Sequence, residues 1–123
     1  MRIAVTAQGV DLDSAMDLRF GRCRNFIIVD PESDKFEAFS NESVTASGGA
    51  GTQSAQFLAN QGVDAVVTGN IGPNASRALE AAGIKVYTMA GGTVRDALQA
   101  YKAGKLRTVS GATVDSHHGM GRR

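Results

Sequence analysis

This chain of 123 residues contains one cysteine, two histidines and no tryptophan. A single cysteine cannot form an internal disulfide, and the chain has no CxxC or other multi-cysteine pattern of a metal site. The formal net charge is only +1, so no overall field attracts the chain to nucleic acid or to a membrane surface. No apolar run approaches the roughly 20 residues of a membrane-spanning helix. We therefore expect a cytoplasmic protein, because residues 1–7 are also too short and too patterned for a signal peptide.

Glycine, by contrast, is abundant. The chain has 15 glycines, and most of them lie where secondary-structure elements would join. The apolar content of 42% is ordinary for a globular domain with a core of its own. We predict a single domain over residues 1–106 and a C-terminal tail over residues 107–123 that is flexible at its end.

Hydrophobic periodicity predicts alternating strands and helices. The predicted strands are residues 2–7, 26–30, 35–41, 64–69 and 84–89. Three helical patterns follow the third, fourth and fifth of these strands. Pro73 suits the first turn of the second helix, and Thr93 and Asp96 have capping-box spacing at the start of the third.

The order β-β-β-α-β-α-β-α predicts an α/β fold with a mixed sheet. Two crossovers of the βαβ type make strands 1, 4 and 5 parallel. Strands 2 and 3 form a hairpin beside strand 1. We predict a five-stranded sheet of order 3-2-1-4-5, with strand 2 antiparallel to the rest, and three helices.

Three glycine-rich loops should meet at the carboxyl edge of this sheet, where ligands bind in open α/β folds. They are residues 47–52, 69–74 and 90–93, and each leads into a helix. Helix N-termini present unpaired N–H groups and partial positive charge, so this edge should attract an anion. The predicted ligand-binding residues in these loops are Gly48, Gly49, Gly51, Gly69, Asn70, Gly72, Asn74, Gly91 and Gly92.

Cys23 lies between Arg22 and Arg24, and the same topology places all three at this edge. Two adjacent cations should favour the thiolate, which is a soft metal ligand. We therefore add the three residues to the predicted site, with Cys23 as a metal ligand. Two simpler interpretations stay open: Cys23 is a passive small residue, and the arginines pair with Asp11, Asp13 or Asp17.

The histidines, His117 and His118, are adjacent near the end of the chain and are followed by Met120. Two histidines on one short segment can bind a divalent metal weakly. We count His117 and His118 as candidate metal ligands, with a solvated tail as the alternative.

The segments "RFGRCRNFIIVD", "GVDAVVTGNIGPNASRALEAAGIKVY" and "VRDALQAYKAGKL" resemble the dinitrogenase iron–molybdenum cofactor biosynthesis family. That family includes the carriers NifX and NafY and the C-terminal domain of NifB. The resemblance implies a ribonuclease H-like fold. It also implies binding or transfer of an anionic metal–sulfur cluster, of the iron–molybdenum cofactor or thiomolybdate type, with a cluster donor or acceptor protein as a further partner.

Other functions remain open at this stage. A nucleotide or phosphate metabolite could use the same helix starts, although neither the P-loop nor the GxGxxG spacing occurs. The carboxyl edge with its three glycine-rich loops could instead bind a protein partner, and the chain would then be an adaptor. A ribonuclease H-like nuclease would need carboxylates on the central strands, and strand 1 has none. We expect no enzymatic activity, because no paired base and nucleophile can be argued.

Overall fold

A computed structural model describes residues 1–43, 49–109 and 111. Within these ranges the chain forms six strands and three helices. The strands are β1 (Ile3–Ala7), β2 (Asn25–Val29), β3 (Phe36–Ser40), β4 (Ala65–Thr68), β5 (Lys85–Thr88) and β6 (Thr108–Val109). The helices are α1 (Ala50–Asn60), α2 (Pro73–Ala81) and α3 (Val94–Lys102). Gly48, His117 and His118 lie outside the described residues.

The six strands form one sheet of order β3-β2-β1-β4-β5-β6. β1 pairs parallel with β4, and β4 pairs parallel with β5, whereas β2 is antiparallel to both of its neighbours. The predicted order and directions of the first five strands are therefore confirmed. The prediction of five strands is wrong, because β6 adds an antiparallel edge strand beside β5. The ribonuclease H-like assignment stays a prediction.

The helices cover both faces of the sheet. α1 and α2 pack on one face, where Leu58 and Leu79 join Ala4 and Val66 in a buried cluster. α3 packs on the other face, where Val94 joins Val5 in a second cluster. Because the central strands are buried on both faces, their sequences are almost continuously apolar rather than alternating.

The helix starts differ in how they are capped. α3 has the predicted capping box: the backbone N–H of Asp96 donates to Thr93 Oγ1 over 3.1 Å, and the N–H of Thr93 donates to Asp96 Oδ2 over 3.0 Å. α2 begins at Pro73, as predicted, and follows Gly72 without a side-chain cap. α1 follows Gly49, which has a φ of 73° and also provides no side-chain cap. The starts of α1 and α2 therefore lack the side-chain cap that closes α3.

No helix in the described part of the chain has both the length and the apolarity needed to cross a bilayer.

Candidate functional site

The segment between β1 and β2 lies along the carboxyl edge of the sheet. Its backbone pairs with the loops that follow β4 and β5: the N–H of Phe20 donates to Asn70 O over 3.1 Å, and the N–H of Met16 donates to Gly92 O over 2.8 Å. The loops therefore gather at one edge, as the topology predicts. The β1–β2 segment, however, covers much of that edge.

Among the residues that the structure describes, one opening at this edge lies where the starts of α1 and α2 face the turn around Gly21. It is a cavity of about 530 Å³, which we call the α1–α2 cavity. Its lining residues are Phe20, Gly21, Arg22, Gly49, Ala50, Gly51, Thr52, Gly72, Pro73, Asn74 and Ala75. The structure thus brings together five of the residues proposed from the sequence, namely Arg22, Gly49, Gly51, Gly72 and Asn74.

The turn around Gly21, α1 and α2 can approach each other closely because glycine, which has no side chain, occupies two of the contact positions. A Cβ atom added at Gly21, which has a φ of 93°, would lie 2.8 Å from the Cα atom of Gly51. A Cβ atom added at Gly51 would lie 2.9 Å from the Cβ atom of Ala75. Glycine at these two positions lets the turn, α1 and α2 touch, so both helix starts reach the same cavity.

The electrostatics of the α1–α2 cavity favour an anion. Each helix start carries roughly half a positive charge, and neither α1 nor α2 has an acidic residue in its first turn. Arg22 adds a full positive charge on an exposed side chain. None of the described residues that line the cavity is acidic. The cavity can therefore offer backbone N–H groups and a guanidinium to a negatively charged guest.

The third helix start does not take part in this cavity. Gly91 and Gly92 precede α3, on the other face of the sheet, and neither lines the cavity. The N–H of Val94 donates to Ser14 O over 2.9 Å, and the N–H of Arg95 donates to Leu12 O over 2.7 Å. With its capping box, α3 therefore has its first N–H groups bonded within the chain. The expected convergence of three helix starts is reduced to two.

Gly69 and Asn70 have packing and backbone roles. A Cβ atom added at Gly69 would lie 2.5 Å from the Cβ atom of Leu18, so the glycine lets the β1–β2 segment pack against the end of β4. Asn70 donates its N–H to Leu18 O over 2.8 Å. Neither residue lines the α1–α2 cavity. Arg24 lies instead at a separate depression beside Asn25, Ser40 and Asn41.

Cys23 is fully buried and belongs to the apolar cluster under α1 and α2. Burial raises the pKa of its thiol to about 12, and the negative charge of Asp17 acts in the same direction. The expectation that the flanking arginines favour the thiolate is therefore wrong. The arginine side chains are exposed while the sulfur points inward, so desolvation of the thiolate outweighs their charge.

Two acidic residues of the β1–β2 segment, Asp17 and Asp13, form ion pairs with Arg19 and Arg95. Asp17 is buried and binds the Arg19 side chain, with Nε 3.2 Å from Oδ1. The same carboxylate accepts the backbone N–H of Arg24 over 3.3 Å. Asp13 pairs with Arg95 over 3.0 Å. Among the residues that the structure describes, no group of three or more histidine, cysteine, aspartate or glutamate side chains could hold a metal ion.

Two buried polar residues near the cavity were missed by the sequence analysis. Asn41 lies directly after β3, and Ser54 lies on the buried side of α1. Asn41 donates its side-chain amide to Gly21 O over 3.0 Å and to Cys23 O over 2.9 Å. A lone asparagine after a strand is ordinary turn chemistry, and no sequence signal distinguishes it from a solvent-exposed one.

Comparisons with known proteins identify the family of the chain. The sequence profile of the family described as "Dinitrogenase iron-molybdenum cofactor" matches residues 1–104. The chain belongs to this family. Its relatives include the protein MJ0580 of Methanocaldococcus jannaschii, which is 36% identical over 90 residues, 71% of this chain and 76% of the relative.

Two solved structures extend the comparison. The apo form of the orange protein from Desulfovibrio gigas has a TM-score of 0.88 and 43% identity, covering 91% of this chain and 95% of that one. A Thermotoga protein that is assigned to the DUF35 family has a TM-score of 0.80 and 39% identity, covering 91% of this chain and 96% of that one. Membership in the dinitrogenase iron–molybdenum cofactor family supports a role related to binding of that cofactor or of a similar cluster.

Proposed function

We propose that this protein binds an anionic metal–sulfur cluster as cargo in the α1–α2 cavity, without chemical turnover, and carries it between proteins. The guest would be of the iron–molybdenum cofactor or thiomolybdate type. The observation that supports this most is the meeting of two helix starts without side-chain caps and one arginine around a cavity whose described lining contains no acidic residue.

The hydrogen-bond donors of the cavity suit the sulfide or oxide ligands at the surface of a cluster rather than its metal ions. Backbone N–H groups, the Arg22 guanidinium and the Thr52 and Asn74 side chains can donate hydrogen bonds to sulfide or oxide ligands. Among the residues that the structure describes, no cysteine or histidine lines the cavity, and the Cys23 thiol is buried and protonated. A guest held by hydrogen bonds and charge keeps its own ligands, so it can leave without any metal–protein bond being broken. This property suits a carrier.

The test is an anaerobic titration with tetrathiomolybdate, followed by visible absorbance and by equilibrium dialysis. We expect a saturable complex with a fixed stoichiometry for the wild-type protein. Arg22→Ala should weaken binding about tenfold, because hydrogen bonds to charged groups contribute roughly 1.5–3 kcal/mol. Arg95→Ala is the matched control, since Arg95 lies on α3 and pairs with Asp13. Unchanged affinity in Arg22→Ala would reject the cavity as the site.

Cys23→Ala tests whether the sulfur is needed. We expect its affinity for tetrathiomolybdate to match the wild type, because the buried thiol does not line the cavity. Loss of the complex in Cys23→Ala, with the fold intact by circular dichroism, would instead identify the cysteine as a ligand.

A phosphate-bearing metabolite is the second candidate, because helix N-termini bind phosphate equally well. Competition by ATP or inorganic phosphate against tetrathiomolybdate decides between the two. Displacement by either at lower concentration than the thiometallate would favour the metabolite.

A further inference from the structure

The α1–α2 cavity combines parts that are distant in sequence, so something must fix their separation. Arg22 belongs to the turn before β2, and Gly49 to Thr52 belong to the start of α1. If the guest is held by both, an error in their separation costs affinity, because a charged donor is effective only at hydrogen-bond distance.

Asn41 is bonded to both parts. Its Nδ2 atom donates to Gly21 O over 3.0 Å and to Cys23 O over 2.9 Å, the carbonyls on either side of Arg22. Its Oδ1 atom accepts the hydroxyl of Ser54 over 3.4 Å, and Ser54 lies one turn into α1. Its backbone N–H donates to Arg24 O over 2.9 Å.

The environment of Asn41 makes these bonds rigid. The residue is only 4% exposed, and Oδ1 also accepts the backbone N–H of Ser43 over 3.0 Å. Both amide hydrogens and both lone pairs of the carbonyl therefore have partners inside the protein. A buried network with every member satisfied allows few alternative arrangements.

We infer that Asn41 is the positioning residue of the α1–α2 cavity: it sets the separation between the Arg22 turn and the start of α1, and so tunes affinity for an anionic guest that it does not touch. Asn41 does not itself line the cavity. This inference rests on the proposed function.

The test is a double-mutant cycle between Asn41 and Arg22, with the affinity for tetrathiomolybdate measured anaerobically by equilibrium dialysis. Asn41→Asp keeps the oxygen that Ser43 and Ser54 bond and removes the two donors to the turn. We expect it to weaken binding about tenfold in the wild-type background. In the Arg22→Ala background the same change should cost less than twofold, because the group that Asn41 positions is absent.

Two further variants separate positioning from a general loss of stability. Val29→Ala lowers the melting temperature from a buried site in β2 that belongs to another cluster, and should leave affinity unchanged. Ser54→Ala takes the place of Asn41→Asp if that variant does not fold. It removes only the bond between Asn41 and α1 and should weaken binding about threefold. That loss too should disappear in the Arg22→Ala background.

The outcomes are distinct. Wild-type protein that does not bind tetrathiomolybdate overturns the proposed function, and this inference with it. Wild-type protein that binds, with equal losses for the Asn41 or Ser54 variant in both backgrounds, overturns this inference alone. The positioning inference would also be overturned if Val29→Ala lost affinity in proportion to its loss of melting temperature, because weaker binding would then follow from lower stability.

Discussion

At the scale of single residues, the contact between Gly51 and Ala75 sets how close α1 and α2 can come. A Cβ atom at position 51 would stand 2.9 Å from the Cβ atom of Ala75, closer than side chains pack in proteins. Gly51 is the second residue of α1, so the contact lies at the rim of the α1–α2 cavity. The size of two side chains therefore sets the distance between the two helix dipoles that face a guest.

Gly51→Ala should weaken tetrathiomolybdate binding by about tenfold, because the added methyl group pushes the two helix starts apart. Alanine has a better helix propensity by about 1 kcal/mol, so the free energy of unfolding should change less than the binding does. Equilibrium dialysis and urea unfolding measure the two effects. Adding Ala75→Gly makes room for the new methyl group and should restore affinity. A double variant that binds no better than Gly51→Ala would contradict this steric explanation.

The Cys23 thiol gives a prediction for stability against pH. Its pKa in the folded protein is about 12, against an ordinary value of 9.0, so the unfolded chain releases this proton first. The stabilising contribution of the neutral thiol is complete below pH 9.0 and is lost as the pH rises toward 12. The advantage of the wild type over Cys23→Ala should shrink by up to about 1.4 kcal/mol per pH unit in that window.

The measurement is urea unfolding of both proteins between pH 7 and pH 11. Other groups titrate in the same range, but they are common to both proteins and cancel in the difference. A difference between the two proteins that stays constant across this range would show that the thiol titrates normally and is accessible to water.

At the scale of elements, the three helices share a sheet but differ at their starts. α3 is closed by Thr93, Asp96 and the carbonyls of Ser14 and Leu12, whereas α1 and α2 have no side-chain caps. Capping α3 stabilises the fold, and under the proposed function the other two starts would use their N–H groups to bind the guest. The division follows the two faces of the sheet, since α1 and α2 lie together on one face.

Thr93→Ala should therefore affect stability without affecting binding. Loss of an N-cap hydroxyl costs about 1 kcal/mol, visible as a lower urea midpoint. Affinity for tetrathiomolybdate should not change, because α3 starts on the opposite face from the cavity. Asp96→Ala belongs to the same capping box, so the double variant should lose less than the sum of the two single losses. Weaker binding in Thr93→Ala would mean that the α3 start contacts the guest.

The elements that sequence analysis identified correctly are those with local signals. The buried strands, Pro73 at the start of α2 and the capping box of α3 are all readable within a few neighbouring residues. β6 was missed because two residues are too few for any periodicity. The closure of the α3 start was missed because it uses backbone carbonyls of Leu12 and Ser14, about 80 positions earlier, which leave no side-chain signature.

The same difference between local signals and tertiary contacts explains which parts of the candidate site could be predicted from the sequence. Glycines before helices are visible in the sequence, and five predicted residues do line one cavity. The protonation of Cys23 depends instead on which way its side chain points. Its sequence neighbours are cations, but its spatial neighbours are Phe20, Phe26 and other apolar groups of the core. Burial is a property of tertiary structure, and it raises the pKa of the Cys23 thiol although the neighbours of Cys23 in the sequence are cations.

At the scale of the whole molecule, the charge is nearly balanced. A formal net charge of +1 gives little long-range attraction for an anion, so attraction to the α1–α2 cavity has to come from local groups such as the two helix starts and Arg22. Asp11 and Asp13 belong to the β1–β2 segment but do not line the cavity. A carrier with such a distribution would select guests by fit to one cavity rather than collect anions over its surface.

Binding should therefore weaken with salt to a limited extent that depends on Arg22. We expect the affinity for tetrathiomolybdate to fall by roughly a factor of ten between 50 mM and 500 mM NaCl, because the Debye length shortens to a few ångströms over this range. Arg22→Ala should flatten the dependence, since the exposed guanidinium is the most strongly screened part of the site. Arg95→Ala changes the net charge by the same amount from the opposite face and should keep the wild-type slope. Equal slopes for Arg22→Ala and Arg95→Ala would show that attraction arises from total charge, and the local field of the cavity would no longer explain binding.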